Sequence, residues 1–146
     1  MKQIFIASDH RGFELKKHLK SHLQQNGHNV VDVGNKVQDP DDDYSDFAHA
    51  LAKSVRESDG NLGISICGSG IGMNMTVNKH LGIRSAVAHS VDEVKKACEH
   101  NHINIISLSA DNTSVEDAKI LVDTFMSAPR SSDARHIRRL EKVDLA

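Results

Sequence analysis

Short runs rich in β-branched residues, at Ile4–Ala7, Asn29–Val33, Leu62–Cys67, Ile83–Ala88 and Ile103–Leu108, alternate with longer segments whose apolar residues recur every three or four positions. Runs of the first kind fit buried strands, and segments of the second kind fit amphipathic helices. The first helical segment keeps Phe13, Leu15, Leu19 and Leu23 on one stripe, and Gly27 behind it suits the left-handed residue that ends a helix. Ser90 with Glu93, and Thr113 with Glu116, have the spacing of capping boxes. Behind the second, Val115, Ala118, Val122 and Phe125 form a buried stripe. Strands that alternate with helices become parallel neighbours joined by right-handed crossovers, which cover both faces of the sheet. The pattern predicts an α/β fold, a three-layer sandwich in which a five-stranded parallel Rossmann-like sheet carries helices on both faces.

Composition narrows the function classes. A chain of 146 residues, 38% of them hydrophobic, fits one domain over 1–146 with a core of its own. A formal charge of -2 gives no general nucleic-acid footprint, and no run approaches the roughly 20 apolar residues of a membrane span. The start MKQIFIASDH has too short an apolar run for a signal peptide, and the two cysteines, Cys67 and Cys98, are too few for a disulfide framework. These features point to a cytoplasmic protein without nucleic-acid or membrane partners. Only the end of the chain is locally basic, where Arg130, Arg135, His136, Arg138, Arg139 and Lys142 crowd into a helix expected over about 131–145.

In open parallel sheets ligands gather beyond the carboxyl ends of the strands. The loops there hold Ser8-Asp9-His10-Arg11-Gly12 after the first strand and Cys67-Gly68-Ser69-Gly70-Ile71-Gly72 after the third. Alternating glycines between a strand and a helix let the backbone approach a ligand, and the helix start turns N–H groups toward negative charge. No Gly-Lys-Ser/Thr follows, the spacing is not that of the dinucleotide motif, and Met73 stands where a cysteine phosphatase would need arginine. Cys67 at the strand end is then either a base, a nucleophile or a small packed residue. Cys98 lies at helical spacing from Val94 and Ala97 and reads as core. Asp9 and His10 would face the same crevice as Cys67, or merely cap the first helix. His100-Asn101 ends the fourth helix and so lies at the opposite end of the sheet, about 16 Å from the crevice for a strand of five residues. His100 is thus either a structural helix-end cation or a group that a second subunit supplies. Asp39-Pro40-Asp41-Asp42-Asp43 reads as a solvated turn with no catalytic role.

SDHRGFELK, DYSDFA, ICGSGIGMNMTVNK, GIRSAVAHS, EHNHIN and ARHIRRL, in this order along nearly the whole chain, resemble the type B ribose-5-phosphate isomerase family. The Cys-Gly-Ser-Gly-x-Gly loop is the most diagnostic piece, since the sister galactose-6-phosphate isomerase subunits lack it intact. The resemblance implies interconversion of ribose 5-phosphate and ribulose 5-phosphate through an enediolate, without metal or organic cofactor. It implies Cys67 as the base between C2 and C1, Ser69 as a proton relay, and N–H groups around Gly68, Gly70, Gly72 and Asn74 as the oxyanion cradle. His100 would open the furanose ring, with Asn101 beside it and Asp9 positioning the sugar. His10, Arg135 and Arg139 would bind phosphate, and Tyr44, the only tyrosine, would line the sugar site. The family builds each site from two chains, so a homodimer, or a tetramer of paired dimers, is the expected assembly.

Three positions depart from that pattern. Many relatives carry a phosphate-contacting arginine eleven residues after the histidine matched by His100, where this chain has Asp111. Arg130 or Arg138 compensates, or the loop points away. His102 replaces the usual aspartate after His-Asn, and Ser45 replaces the usual proline after Asp-Tyr. Two other functions remain compatible with these residues: isomerisation of a six-carbon sugar phosphate such as allose or galactose 6-phosphate, and non-catalytic sugar-phosphate binding.

Overall fold

The computed structural model describes residues 2–145; Met1 and Ala146, the ends of the expected domain, lie outside the described residues. The chain runs β1 (Ile4–Ser8), α1 (Phe13–Gln25), β2 (Val30–Asp32), α2 (Tyr44–Arg56), β3 (Leu62–Cys67), α3 (Ile71–Val77), β4 (Ser85–Val87), α4 (Val91–Asn101), β5 (Ile105–Ser109), α5 (Val115–Ser127) and α6 (Ala134–Val143). The strands form one five-stranded sheet in the order β2-β1-β3-β5-β4. Every pairing is parallel.

Because successive residues of a strand point to opposite faces, the central strands supply two cores. Ile4, Ile6, Ile64, Ile66, Ile106 and Leu108 pack against α1, α4 and α5. Phe5, Ala7, Cys67 and Ile105 face α2 and α3. This double burial explains why the central strands read as apolar runs broken only by small residues. The expected left-handed Gly27 has φ 83°. Ser90 and Glu93 form the capping box that their spacing predicts. The second box does not form: Ser114, not Thr113, caps α5 and accepts the N–H of Asp117, without a reciprocal carboxylate bond. The buried stripe of α5 is Ala118, Leu121, Val122 and Phe125, with Val115 packed at its margin.

α6 is shorter than the 131–145 expected and docks on α4 through Leu140 and polar ties. Arg84 donates from Nε to the carbonyls of Asn101 and His102 at 3.1 and 3.3 Å and from Nη1 to Asp144 at 2.7 Å. His102, left-handed at φ 45°, ends α4 and bonds through Nε2 to the Ser131 carbonyl at 2.8 Å. The histidine that departs from the family pattern therefore fastens the approach to α6.

Candidate active site

Cys67 ends β3 with 4% of its surface exposed, and β5 braces the loop that follows. The Cys67 carbonyl accepts the Ala110 N–H at 2.9 Å. That of Gly68 accepts the Asp111 N–H at 3.0 Å and the Ser109 hydroxyl at 2.7 Å. Gly70 turns the chain into α3 at φ 79°, where a Cβ would come within 3.0 Å of the Leu108 backbone, so glycine is required on two grounds. Ser69 is exposed, and its Oγ accepts the Ile71 N–H at 3.1 Å. The Tyr44 ring, at the start of α2, lies over Gly72, where a Cβ would meet it at 2.8 Å. Asn74 closes the first turn of α3 through its N–H on the Gly70 carbonyl at 3.2 Å, and its Oδ1 is buried without a hydrogen-bond partner.

The loop after β1 reaches the same crevice. Asp9 is 5% exposed, and its Oδ1 accepts the N–H groups of Arg11 and Gly12 at 3.0 and 3.1 Å. It therefore holds the turn that leads into α1, whose N-cap is Gly12 and not Asp9. Burial pushes its carboxyl above the ordinary aspartate value, against those N–H groups and His10, which pull it down. His10 bonds through Nδ1 to Asp42 Oδ1 at 2.7 Å and through its backbone N–H to the same oxygen at 3.2 Å. That hydrogen bond raises the imidazole above its ordinary 6.5. The acidic turn before α2 is thus more than a solvated loop, because Asp42 orients His10. Its place among four aspartates gave no sequence signal. Asp9, His10 and Asp42 bring ligand atoms within 4.8 Å of one another. The imidazole and Asp42 hold each other there in an ion-pair geometry.

Asp111 neither points away nor meets Arg130. Arg130 is spent on the carbonyls of Phe125, Ala128 and Ile103, at 3.3, 2.7 and 3.1 Å, by the amino end of β5. Asp111 pairs instead with the Arg11 guanidinium, which lies over Gly68.

His100, Asn101, Arg135 and Arg139 form a second cluster on α4 and α6, all exposed. The His100 ring stacks on that of His136 at 4.6 Å between centroids, and His136 Nδ1 is buried without a hydrogen-bond partner. Arg135 pairs with the helix-capping Asp133 at 3.1 Å and holds that carboxyl down at about 2. β5 separates the end of α4 from the Cys67 loop, about 16 Å for its five residues. Two cavities of about 680 and 570 Å³ open at the amino ends of the strands and beside β4, and neither is lined by Cys67. Within one chain the structure therefore brings together Cys67, Ser69, Asp9, His10 and Tyr44, and leaves His100, Asn101, Arg135 and Arg139 apart.

Among the described residues no helix is long and apolar enough to cross a membrane. The Ribose/Galactose Isomerase family matches residues 4–143. Ribose-5-phosphate isomerase B of Mycolicibacterium paratuberculosis is 39% identical over 95% of this chain and 87% of its own length. A solved structure from Mycoplasma genitalium with bound ribulose-5-phosphate is 40% identical, has a TM-score of 0.92, and covers 97% of this chain and 93% of that one. The Thermotoga maritima ribose 5-phosphate isomerase structure is 38% identical with a TM-score of 0.92, over 98% and 97% of the two chains. With the family matched over residues 4–143 and relatives about 40% identical over nearly the whole chain, this chain belongs to the ribose/galactose isomerase family.

Proposed function

We propose that the protein interconverts ribose 5-phosphate and ribulose 5-phosphate, with Cys67 as the base. The observation that carries this reading is the placement of Cys67 at the carboxyl end of β3, beside Ser69 and the glycine turn and across from Asp9 and His10. The relative from Mycoplasma genitalium, alike over nearly its full length, holds ribulose-5-phosphate. In its base form Cys67 takes the proton from C2 of the open-chain aldose, and the electron pair moves into an enediolate. The first turn of α3 leaves the N–H groups of Gly72 and Met73 without intrahelical partners, where the developing oxyanion is stabilised. Ser69 moves a proton between the two sugar oxygens, and Cys67 returns its proton to C1. Tyr44 lines the sugar, and Asp9 positions it.

The ring-opening acid-base group comes from a second copy of the chain. His100 and Asn101 cannot reach Cys67 across the sheet, yet they are exposed at the end of α4, where the His100 ring stacks on His136 of α6, the helix that carries the exposed Arg135 and Arg139. Leu81, Val143 and Leu145 are exposed near the end of α6 and beside β4, apolar surface that suits an interface between copies. In the homodimer His100 of the partner subunit opens the furanose, and the arginines hold the phosphate together with His10. The test is ketose formation from ribose 5-phosphate with metal chelated. Turnover is expected; inertness toward it while a six-carbon sugar phosphate turns over, or toward both, overturns the reading.

His10 makes the reading pH-dependent. Its pKa is raised by Asp42, so the cation that binds phosphate persists above pH 6.5 and is lost as pH rises through the raised value. KM should climb over that range, and Asp42→Asn should move the climb to lower pH. Superimposable KM profiles for the two proteins would remove His10 from the phosphate site.

A further inference from the structure

Arg11 and Asp111 are 100 residues apart in sequence and meet over the catalytic loop. Arg11 comes from the loop after β1 and Asp111 from the loop after β5, and these strands flank β3 on its two sides. The guanidinium lies so close over Gly68 that a Cβ there would be 2.8 Å from Arg11 Cζ. Asp111 is fixed from below, because its N–H donates to the Gly68 carbonyl at 3.0 Å. The bridge therefore crosses the crevice one residue beyond Cys67.

Stability does not account for it. The side chains are 55% and 41% exposed, and ion pairs so exposed contribute little to folding. Held there by its Nη2 contact to Asp111, the guanidinium keeps other N–H donors for an oxyanion. His10, its neighbour on the loop after β1, is oriented by Asp42 from the turn before α2.

We infer that Arg11, oriented by Asp111, binds the phosphate of the sugar substrate and is a determinant of specificity for phosphorylated sugars in this chain. The inference deepens the proposed isomerase reading and rests on it for the identity of the substrate. Arg11 is the binding residue and Asp111 a positioning residue. With Asp111 paired, the site keeps a correctly aimed guanidinium at the position where an unpaired carboxylate would repel the ligand.

The test compares wild type, Arg11→Ala, Arg11→Lys, Asp111→Ala and the Arg11→Ala/Asp111→Ala pair. Arg11→Ala is expected to raise KM for ribose 5-phosphate, and Ki for inorganic phosphate, by about tenfold to a hundredfold with kcat little changed. Arg11→Lys should recover little of this, because a lysine cannot present two parallel donors. Asp111→Ala alone should raise KM less than Arg11→Ala does. Adding it to Arg11→Ala should lower KM again, since the unopposed carboxylate is gone; a purely structural bridge would not produce that reversal. Unchanged KM and Ki in Arg11→Ala would overturn the inference. A second readout needs no turnover: inorganic phosphate should protect Cys67 from alkylation in wild type and fail to do so in Arg11→Ala. If wild type proves inactive but shows this difference, the substrate reading falls and the anion site stands. Equal protection in both proteins, or none in wild type, overturns the anion site.

Discussion

Replacing Cys67 by alanine is expected to lower turnover of ribose 5-phosphate about a thousandfold while leaving the fold intact. The first half follows from chemistry, because no other group on the β3 loop takes a carbon-bound proton; Ser69 carries only a hydroxyl. The second half follows from packing. The thiol is one small member of the cluster facing α2 and α3, and losing one buried atom costs about 1 kcal/mol. Far-ultraviolet dichroism and the urea midpoint separate the two halves. Cys98 is the internal control: it is fully buried between α4 and α5, and burial pushes its thiol up. Cys98→Ala should therefore cost stability and spare turnover. A loss under tenfold in a folded Cys67→Ala protein would take the base away from this residue.

The largest stability effect belongs to Lys16. It lies on α1 at 1% exposure, with Nζ at 3.0 Å from Asp32 and at 2.6 and 2.7 Å from the carbonyl and side-chain oxygens of Asn35. Burial pulls the amine below its ordinary value, and the Asp32 carboxylate pulls it back up. Removing one partner from such a group strands the other, which typically costs about 3–5 kcal/mol. Lys16→Met fills nearly the same space, so its loss measures the stranded polar groups rather than a void. We expect it to lower the unfolding free energy by about 3 kcal/mol in urea titration. A change below 1 kcal/mol, read from the same titration, would mean that Asp32 and Asn35 find water instead. The cluster also bears on the site, because Asn35 accepts the Ser8 hydroxyl at 3.1 Å immediately before Asp9 and His10.

Lys16 also shows where sequence reading stops. Beside Leu15 on a helical stripe, a lysine reads as solvent-facing, and only the return of the chain through Asp32 and Asn35 closes over it. The central strands were legible because burial on both faces leaves only small serines among their apolar residues, Ser8, Ser65, Ser107 and Ser109. The Cys67 loop was legible because its glycines stand at positions where a Cβ would strike a neighbour, Arg11 at Gly68, Leu108 at Gly70 and Tyr44 at Gly72. The failure of His100 to reach that loop was legible too, from its place at the end of a helix that feeds a strand. Asp42 and Arg11 were not. Each acts through a partner made near by the strand order β2-β1-β3-β5-β4, and local spacing carries no record of that order. The cap of α5 slipped by one residue because Thr113 and Ser114 are both acceptable caps, with carboxylates three residues on from each.

A site shared between two chains is the central claim, and mixing Cys67→Ala with His100→Ala tests it most directly. Each variant alone should be nearly inactive in the ribose 5-phosphate assay. After subunit exchange, a heterodimer carries both lesions in one site and none in the other, so activity should return to about a quarter of wild type. No recovery, in a mixture whose exchange is verified by native mass spectrometry, would contradict a site built from Cys67 of one chain and His100 of the other.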